Sequence, residues 1–124
     1  MVNLSKYKDL IEKDIVYVAT SDTKCKPNLI CVMGCKLVAK DTVCATDNMM
    51  SKTRRNIKSN KQIALVVGKG EKWYQLKGTV AYHNKGKWFK FVKALPINEQ
   101  FDPHAAVLMK VKEVYDLWEG ERLV

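Results

Sequence analysis

Residues 43–67 read VCATDNMMSKTRRNIKSNKQIALVV, and this stretch decides how the chain folds. Both ends are rich in β-branched and apolar side chains, as is typical of strands. The middle, residues 47–61, loses that pattern and carries hydroxyl, amide and basic groups. Ser51 suits the N-cap of a helix, and Asn60 suits its end. The stretch therefore predicts a strand, a short helix with Ile57 facing the core, and a second strand.

On either side of this stretch, β-branched runs predict further strands and apolar residues at helical spacing predict helices. The predicted strands are 15–20, 28–38 bent at Gly34, 43–46, 62–67, 73–83 bent at Gly78, and 105–118 bulged at Lys112-Glu113. The predicted helices are 4–13, 51–60, and 88–95 with an aromatic stripe in the core. Residues 40–42 would close a hairpin. One domain over residues 1–124 follows: mainly β with short helices, a six-stranded antiparallel barrel, closed or half-open.

Positive charge is concentrated in one part of the chain. The net charge is +9, from 22 basic and 13 acidic residues. Five basic residues fall within residues 52–61: Lys52, Arg54, Arg55, Lys58 and Lys61. Such a cluster attracts phosphates, nucleic acids or acidic partners without choosing among them. The N-terminus has no continuous apolar core and no apolar run approaches a membrane span, so we expect a soluble cytoplasmic protein without membrane contact.

The cysteine pattern does not favour a metal site. The four cysteines are Cys25, Cys31, Cys35 and Cys44. They form no C-x-x-C pair, and both histidines lie far along the chain, whereas zinc sites use clustered close pairs. We expect no metal, free thiols, and Cys31 and Cys44 as small buried hydrophobic residues.

The chemistry of the chain is expected to come from a cofactor. The sequence contains no recognisable Ser/His/Asp arrangement and no carboxylate pair, and residues 68–70 lack the spacing of a glycine-rich phosphate loop. We therefore expect no catalytic side chain of the chain's own.

The junction at residues 46–56 favours a phosphate. A helix start presents free backbone N–H groups and the positive end of the dipole. Ser51 and Thr53 add hydroxyls, and Lys52 with one neighbouring Arg adds charge. An ordinary capped basic helix would use the same residues, so chemistry alone leaves both interpretations open.

The order of these segments resembles the pyridoxamine-5′-phosphate-oxidase-like family of FMN-binding split barrels, in its short single-domain members. Four stretches carry the resemblance: DIVYVATSDTKCKPNLICVMG (14–34), VCATDNMMSKTRRNIKSNKQIALVV (43–67), YQLKGTV (74–80) and AAVLMKVKEVYDLW (105–118). The strand followed by S-K-T-x-R-N and then I-A-L-V-V is the most specific. The resemblance implies a six-stranded antiparallel split β-barrel with FMN as cofactor.

The resemblance also implies roles for individual residues. The implied cofactor-binding residues are Val32, Met33 and Gly34 along the isoalloxazine ring, Thr46, Asp47 and Asn48 along the ribityl chain, and Met50, Ser51, Lys52 and Thr53, the last three holding the phosphate. It further implies a homodimer with the flavin near the subunit interface. The partner would contribute residues 101–104 and Trp118.

The resemblance is incomplete where the substrate is concerned. Leu29, Ile30 and Cys31 stand where the true oxidases have a cofactor-binding Arg nearby. We therefore expect a flavin-dependent oxidoreductase or reductase that uses a small electron donor and acceptor, and not pyridoxamine phosphate oxidation.

Three alternatives remain. Related split barrels bind deazaflavin F420 or haem, and His104 would be the candidate haem ligand. A basic barrel could instead bind nucleic acid through Trp73, Tyr74, Tyr82 and Trp88. A module that stores or senses flavin without turnover would have the same sequence features.

Overall fold

Antiparallel strands dominate the computed structural model, which describes residues 2–124. The strands are β1 (Val16–Ser21), β2 (Pro27–Val32), β3 (Lys36–Ala39), β4 (Thr42–Asp47), β5 (Gln62–Lys69), β6 (Lys72–His83) and β7 (Ala105–Asp116). The helices are α1 (Lys8–Lys13), α2 (Ser51–Ser59) and α3 (Lys87–Lys93), with 3-10 turns at Ser5–Tyr7 and Pro96–Asn98. Within this part of the chain the strands form one sheet in the order β2-β1-β5-β6-β7-β4-β3. The mainly β antiparallel class is confirmed.

The prediction of six strands is wrong by one, because the predicted strand 28–38 is two strands. Gly34 lies between them with φ +75°, a left-handed conformation that favours glycine. A Cβ at this position would lie 2.6 Å from Cδ1 of Ile97, so the site is also sterically closed to larger residues. The chain turns here, and β2 and β3 become the two edges of the sheet. The barrel is therefore split between them, as the resemblance implied.

The core lies inside the curved sheet, and helices cover its openings. Leu4 and Ile11 enter it from the N-terminal segment, and Ile57 enters from α2, all fully buried. The predicted inward position of Ile57 is confirmed, as is the end of α2 at Asn60. Helix α2 therefore stands against the sheet with its basic face outward.

Helix α3 packs on a second, smaller apolar cluster. Val92 is fully buried against Cys44 and Ala106, and the partly buried Trp88 packs against the same cluster. Phe91, which the helical spacing placed in the core, is more than one-third exposed. The prediction of a core stripe is therefore correct for Val92 and wrong for Phe91, because α3 covers only a narrow strip of the sheet.

The predicted bulge in the last strand is confirmed. Lys77 pairs with Glu113 and Gly78 pairs with Val111, which leaves Lys112 as the extra residue. The two strands cross so closely here that a Cβ on Gly78 would overlap the main-chain carbonyl of Lys110. The strand ends at Asp116, two residues before the predicted end, where a turn begins.

Burial separates the cysteines into two kinds. Cys44 is buried as predicted, whereas Cys31 is exposed, because it lies on the outward face of the edge strand β2. Burial raises the pKa of the Cys35 and Cys44 thiols to about 12, so both stay protonated. Across residues 2–124, no three His, Cys, Asp or Glu side chains are grouped to hold a metal. The helices in this range are also too short and too polar to cross a bilayer.

Candidate ligand-binding groove

The junction between β4 and α2 is held by a side chain that precedes the helix. Met50 occupies the N-cap position, and its carbonyl accepts the first helical hydrogen bond from the N–H of Arg54, at 2.6 Å. Asp47 Oδ1 accepts the N–H of Met50 at 2.9 Å. The prediction of Ser51 as N-cap is wrong, since Ser51 is the first helical residue. Its hydroxyl makes no cap and remains on the surface.

Asp47 is the anchor of this junction. Its side chain is 0% exposed. Arg54 donates through Nε to Oδ2 at 2.6 Å and through Nη2 to Oδ1 at 3.2 Å, and the Tyr82 hydroxyl donates to Oδ2 at 2.6 Å. Burial acts to raise the pKa of this carboxyl, but the hydrogen bonds from Arg54, Tyr82 and the Met50 N–H outweigh it and lower the pKa. Asp47 is therefore an ionised structural group at pH 7.

This network changes the role expected of two predicted residues. The Asp47 carboxylate is saturated and its carbonyl accepts the N–H of His104, so its oxygens are already paired within the chain. The Arg54 guanidinium is paired with the Asp47 carboxylate, so it is not available to bind a phosphate. Lys52, which is exposed, keeps its charge available. Of the cations expected to bind a phosphate, Arg54 is paired with Asp47. Lys52 lies at the start of α2 and takes no part in the Asp47 network.

The helix start forms one wall of a small pocket of about 240 Å³. Its lining residues are Asn28, Ile30, Met49, Met50, Ser51, Lys52 and Thr53. The Asn28 amide donates to Thr53 Oγ1 at 3.1 Å, so the hydrogen of that hydroxyl is left to donate to another group. Backbone N–H groups of the first helical turn have no intrahelical acceptor. Hydroxyls, N–H groups and one ammonium therefore converge here, and we call this pocket the phosphate cradle.

A larger groove of about 470 Å³ lies beside the cradle. Its lining residues are Ile30, Cys31, Val32, Met33, Thr46, Asn48, Met49, Met50, Ile97, Asn98 and Phe101. Ile30, Met49 and Met50 line both cavities, so the two lie side by side along the same residues. This volume lies within the usual range of small-molecule sites, about 300–1,000 Å³. The groove is mostly apolar, and its polar lining residues are Thr46, Asn48 and Asn98.

Three polar side chains form a fixed network in the groove. Asn98, only 4% exposed, donates to Thr46 Oγ1 at 2.9 Å and to the Val92 carbonyl at 2.7 Å. Asn48 donates to Asn98 Oδ1 at 3.2 Å, which leaves Asn48 Oδ1 as a buried acceptor without a donor among residues 2–124. Such an atom costs about 1–3 kcal/mol when it stays unpaired. The mainly apolar lining of the groove therefore includes a fixed polar group of Thr46, Asn48 and Asn98.

Most of the predicted cofactor-binding residues come together in these two cavities. Those that line one or both are Val32, Met33, Thr46, Asn48, Met50, Ser51, Lys52 and Thr53. Asp47 and Gly34 do not. Asp47 supports the helix start from behind, and Gly34 lies against Ile97, whose side chain lines the groove.

Sequence reasoning missed several lining residues. Asn28 and Ile30 share one face of β2 with Val32, so the period of two along a strand could have identified them. Ile97 and Asn98 follow α3 and reach the groove only through the tertiary fold. No local signal distinguishes them from ordinary loop residues.

The residues expected from a partner subunit have different positions. Phe101 lines the groove of its own chain. Trp118 lies beyond the far end of β7, 70% exposed, and its indole N–H donates to the carbonyl of Glu71. Since β7 begins beside Asp47, the length of this strand separates Trp118 from the groove of its own chain.

The aromatic residues considered for nucleic acid are engaged within the fold. Tyr82 donates to Asp47, and the Tyr74 ring packs 4.7 Å from that of Tyr7. Trp73 donates to the Gly70 carbonyl at 2.8 Å. Trp88, on α3, packs against the cluster of Cys44, Val92 and Ala106, so these rings do not form a common stacking surface.

The split antiparallel sheet and the groove beside its open edge define a split-barrel domain with a candidate small-molecule site. The chain belongs to the pyridoxamine 5′-phosphate oxidase family, whose sequence profile matches residues 5–118. An uncharacterized protein of Methanocaldococcus jannaschii is 31% identical over 115 residues, which cover 89% of this chain and 77% of that protein. The expected family is therefore confirmed.

Solved structures share the fold. HupZ of Group A Streptococcus superposes with a TM-score of 0.88 at 25% identity, over 100% of each chain. An FMN-binding protein of Syntrophomonas wolfei has a TM-score of 0.74 at 16% identity, over 92% of this chain and 85% of that one. HutZ, the haem storage protein of Vibrio cholerae, has a TM-score of 0.66 at 12% identity, over 94% and 95%. The fold therefore occurs with more than one cofactor.

Proposed function

We propose that this protein binds FMN in the groove and acts as a flavin-dependent oxidoreductase on a small molecule. The observation that carries the proposal is the adjacency of the two cavities, which share three lining residues. A hydroxyl- and lysine-lined cradle at a helix start lies beside an apolar groove of suitable size. An FMN molecule has the same sequence of parts: an anionic end, a hydroxylated chain and a flat apolar ring.

Each part of the groove has a defined task in this proposal. Ser51, Lys52 and Thr53 hold the phosphate, and Thr46 with Asn48 borders the ribityl chain. Val32 and Met33 line the ring position. Bound flavin would supply hydride or single-electron transfer, while the chain binds, orients and shields it.

The open side of the groove suits entry of a small electron donor and acceptor. Its rim is apolar and exposed at Met33, Met49, Ile97 and Phe101. None of these side chains can act as an acid or base. The proposed turnover therefore depends on the flavin, and the substrate is selected by fit to the rim.

A flavin titration tests the proposal. We expect purified protein to be yellow and to quench the fluorescence of added FMN with about one flavin per chain. Lys52→Ala weakens FMN binding by about 1.5–3 kcal/mol, or roughly 10- to 150-fold, because it removes a charge-assisted contact to phosphate. Lys69→Ala, an exposed lysine at the end of β5, is the matched control and leaves the affinity unchanged. Colourless protein that does not quench FMN fluorescence would exclude the proposal.

Spectroscopy distinguishes an oxidoreductase from a storage or sensing module, and FMN from the other candidate cofactors. Reduction of the bound flavin by NADH or NADPH, followed by reoxidation with a defined acceptor, would distinguish an oxidoreductase from a storage or sensing module. Haem and F420 differ from FMN in the absorbance spectrum of the purified protein. Salt-sensitive binding of single-stranded oligonucleotides would instead favour the nucleic-acid alternative.

We also propose a homodimer. Tyr17, Leu29 and Cys31 lie together on the outer face of β1 and β2, and all three are exposed. Val66 extends this face onto β5, opposite Tyr17. An apolar face beside an open groove is suited to cover by a second copy, since two-fold pairing is the commonest assembly of soluble proteins.

Sedimentation tests the dimer. The expected mass of the wild-type protein is about twice the 14.2 kDa of one chain. Leu29→Lys places a charge in the centre of the proposed interface and shifts the protein to a monomer, whereas Ala39→Lys, on the exposed end of β3, leaves the dimer intact. A wild-type monomer that binds FMN would contradict the assembly but not the flavin site.

A further inference from the structure

A second cleft of about 320 Å³ lies next to the phosphate cradle, between α2 and the turn that joins β1 to β2. Its lining residues are Asp22, Lys26, Pro27, Asn28, Lys52, Arg55, Asn56 and Ser59. The helical members recur at the spacing of one face of α2. Sequence reasoning about the phosphate did not account for this cleft, because half of its wall comes from a turn 25 residues earlier.

The cleft carries positive charge that the chain does not neutralise. Lys26, Lys52 and Arg55 line it, and the ion pairs among residues 2–124 use other cations. The only acid in the lining is Asp22, whose Oδ1 accepts the N–H groups of Lys24 and Lys26 at 2.8 and 2.9 Å. Its carboxylate offsets one of the three cations, so the lining keeps a net positive charge. Like charges held around one cavity favour an anionic occupant.

The walls of the cleft are tied together before any ligand binds. The Asn56 amide donates to Thr20 Oγ1 at 3.1 Å, and the Asn60 amide donates to Ser21 Oγ at 2.8 Å. These bonds join α2 to β1 immediately before the turn. The turn itself is closed by the Asp22 N–H, which donates to the Lys26 carbonyl at 3.1 Å. The main-chain positions of Lys26 and Arg55 are therefore set by the fold, and both side chains are exposed.

The cleft adjoins the phosphate cradle. Asn28 and Lys52 line both, so a ligand with one phosphate in the cradle can extend into the cleft without leaving the protein surface. FMN ends at its phosphate and would leave Lys26 and Arg55 without a counter-charge. A flavin with a second phosphate bonded to the first would supply that charge at the required place.

We propose that the cleft is a subsite for the second phosphate of a diphosphate-linked flavin, so that the site accepts a flavin dinucleotide as well as FMN. Lys52 serves both phosphates, and Lys26 with Arg55 serves the second. This inference rests on the proposed flavin site and extends it by one anionic group. No covalent step is involved.

Paired titrations with FMN and FAD test the subsite. The wild-type protein is expected to bind FAD at least as tightly as FMN. Lys26→Ala combined with Arg55→Ala weakens FAD binding tenfold or more and changes FMN binding less than twofold. Lys58→Ala, an exposed α2 cation outside the cleft, is the matched control, and Lys52→Ala weakens both ligands. Raising the salt concentration weakens FAD binding more than FMN binding.

The outcomes separate the two proposals. If FMN binds and FAD binds tenfold or more weakly, the subsite is refuted while the flavin site stands. Equal losses for both ligands in the double variant would also refute it, since the two cations would then act on the first phosphate. If neither flavin binds, the proposed function fails and the subsite with it. Circular dichroism and thermal unfolding of each variant verify that the fold is retained.

Discussion

Asp47→Asn lowers the free energy of unfolding by about 3 kcal/mol at pH 7, at the lower end of the range for breaking a buried ion pair. The carboxylate is fully buried, whereas the Arg54 side chain is 28% exposed, so part of the arginine's charge is recovered by water. Asparagine keeps the shape and one oxygen. Its amide nitrogen would face donors on Arg54 and Tyr82 in place of an acceptor. Urea unfolding followed by circular dichroism measures the loss.

The same substitution has a defined dependence on pH. The pKa of Asp47 is lower in the folded protein than its ordinary value of 3.8, so unfolding takes up a proton between the two values. The stabilisation is fully present above pH 3.8 and is lost as the pH falls through the folded pKa. The difference between wild type and variant is therefore constant from pH 7 to about pH 5 and shrinks in stronger acid.

A second carboxylate serves as the control for Asp47. Asp41 lies in the turn between β3 and β4, is half-buried, and accepts a side-chain hydrogen bond from Thr42 at 2.8 Å. Asp41→Asn is expected to change stability by less than 1 kcal/mol, as is usual for such a site. Equal effects of the two substitutions, or a loss at Asp47 that persists unchanged in acid, would contradict the role assigned to the buried pair.

Gly78→Ala is expected to cost about 3 kcal/mol or more, because the added methyl group overlaps a main-chain atom that cannot rotate away. The carbonyl of Lys110 occupies the space, and the extra residue of the bulge keeps β7 in that position. Relief requires the two longest strands to move apart. The loss appears as a lower midpoint in urea or thermal unfolding.

Gly70→Ala distinguishes this steric effect from backbone strain. Gly70 has φ +62°, yet a Cβ there would have no atom within 4 Å. Gly70→Ala therefore lowers the free energy of unfolding only by the penalty for a left-handed alanine, about 1–2 kcal/mol. If Gly78→Ala were as mild as Gly70→Ala, the close crossing of β6 and β7 would be wrong.

Local sequence patterns predicted most of the strands and helices of the fold. The change of pattern after Thr46 predicted the strand-to-helix junction, and the shift in apolar spacing near Lys112 predicted the bulge. Both follow from short-range geometry, since the side-chain period reports which face is buried. The break at Gly34 was misjudged as a bend within one strand. Its cause includes contact with Ile97, more than sixty residues further along the chain.

The candidate site was only partly predictable for the same reason. Ser51, Lys52 and Thr53 follow from the chemistry of a helix start, and the family resemblance added Val32 and Met33. Their grouping in two adjacent cavities agrees with these expectations. The structural role of Asp47 was not predicted, because the partners that saturate its carboxylate are distributed over α2 and β6.

What the sequence by itself determined was the identity of the elements and the basic, hydroxyl-rich helix start after β4, because strand period, helix spacing and capping chemistry act over a few residues. Only the tertiary structure decided how those charges are used. It assigns Arg54 to Asp47 and leaves Lys52 at the cradle. It also directs Arg55 toward Lys26 from an earlier turn. The physical reason is that a charge acts on whatever lies within a few ångströms, and that neighbourhood is a property of the folded chain.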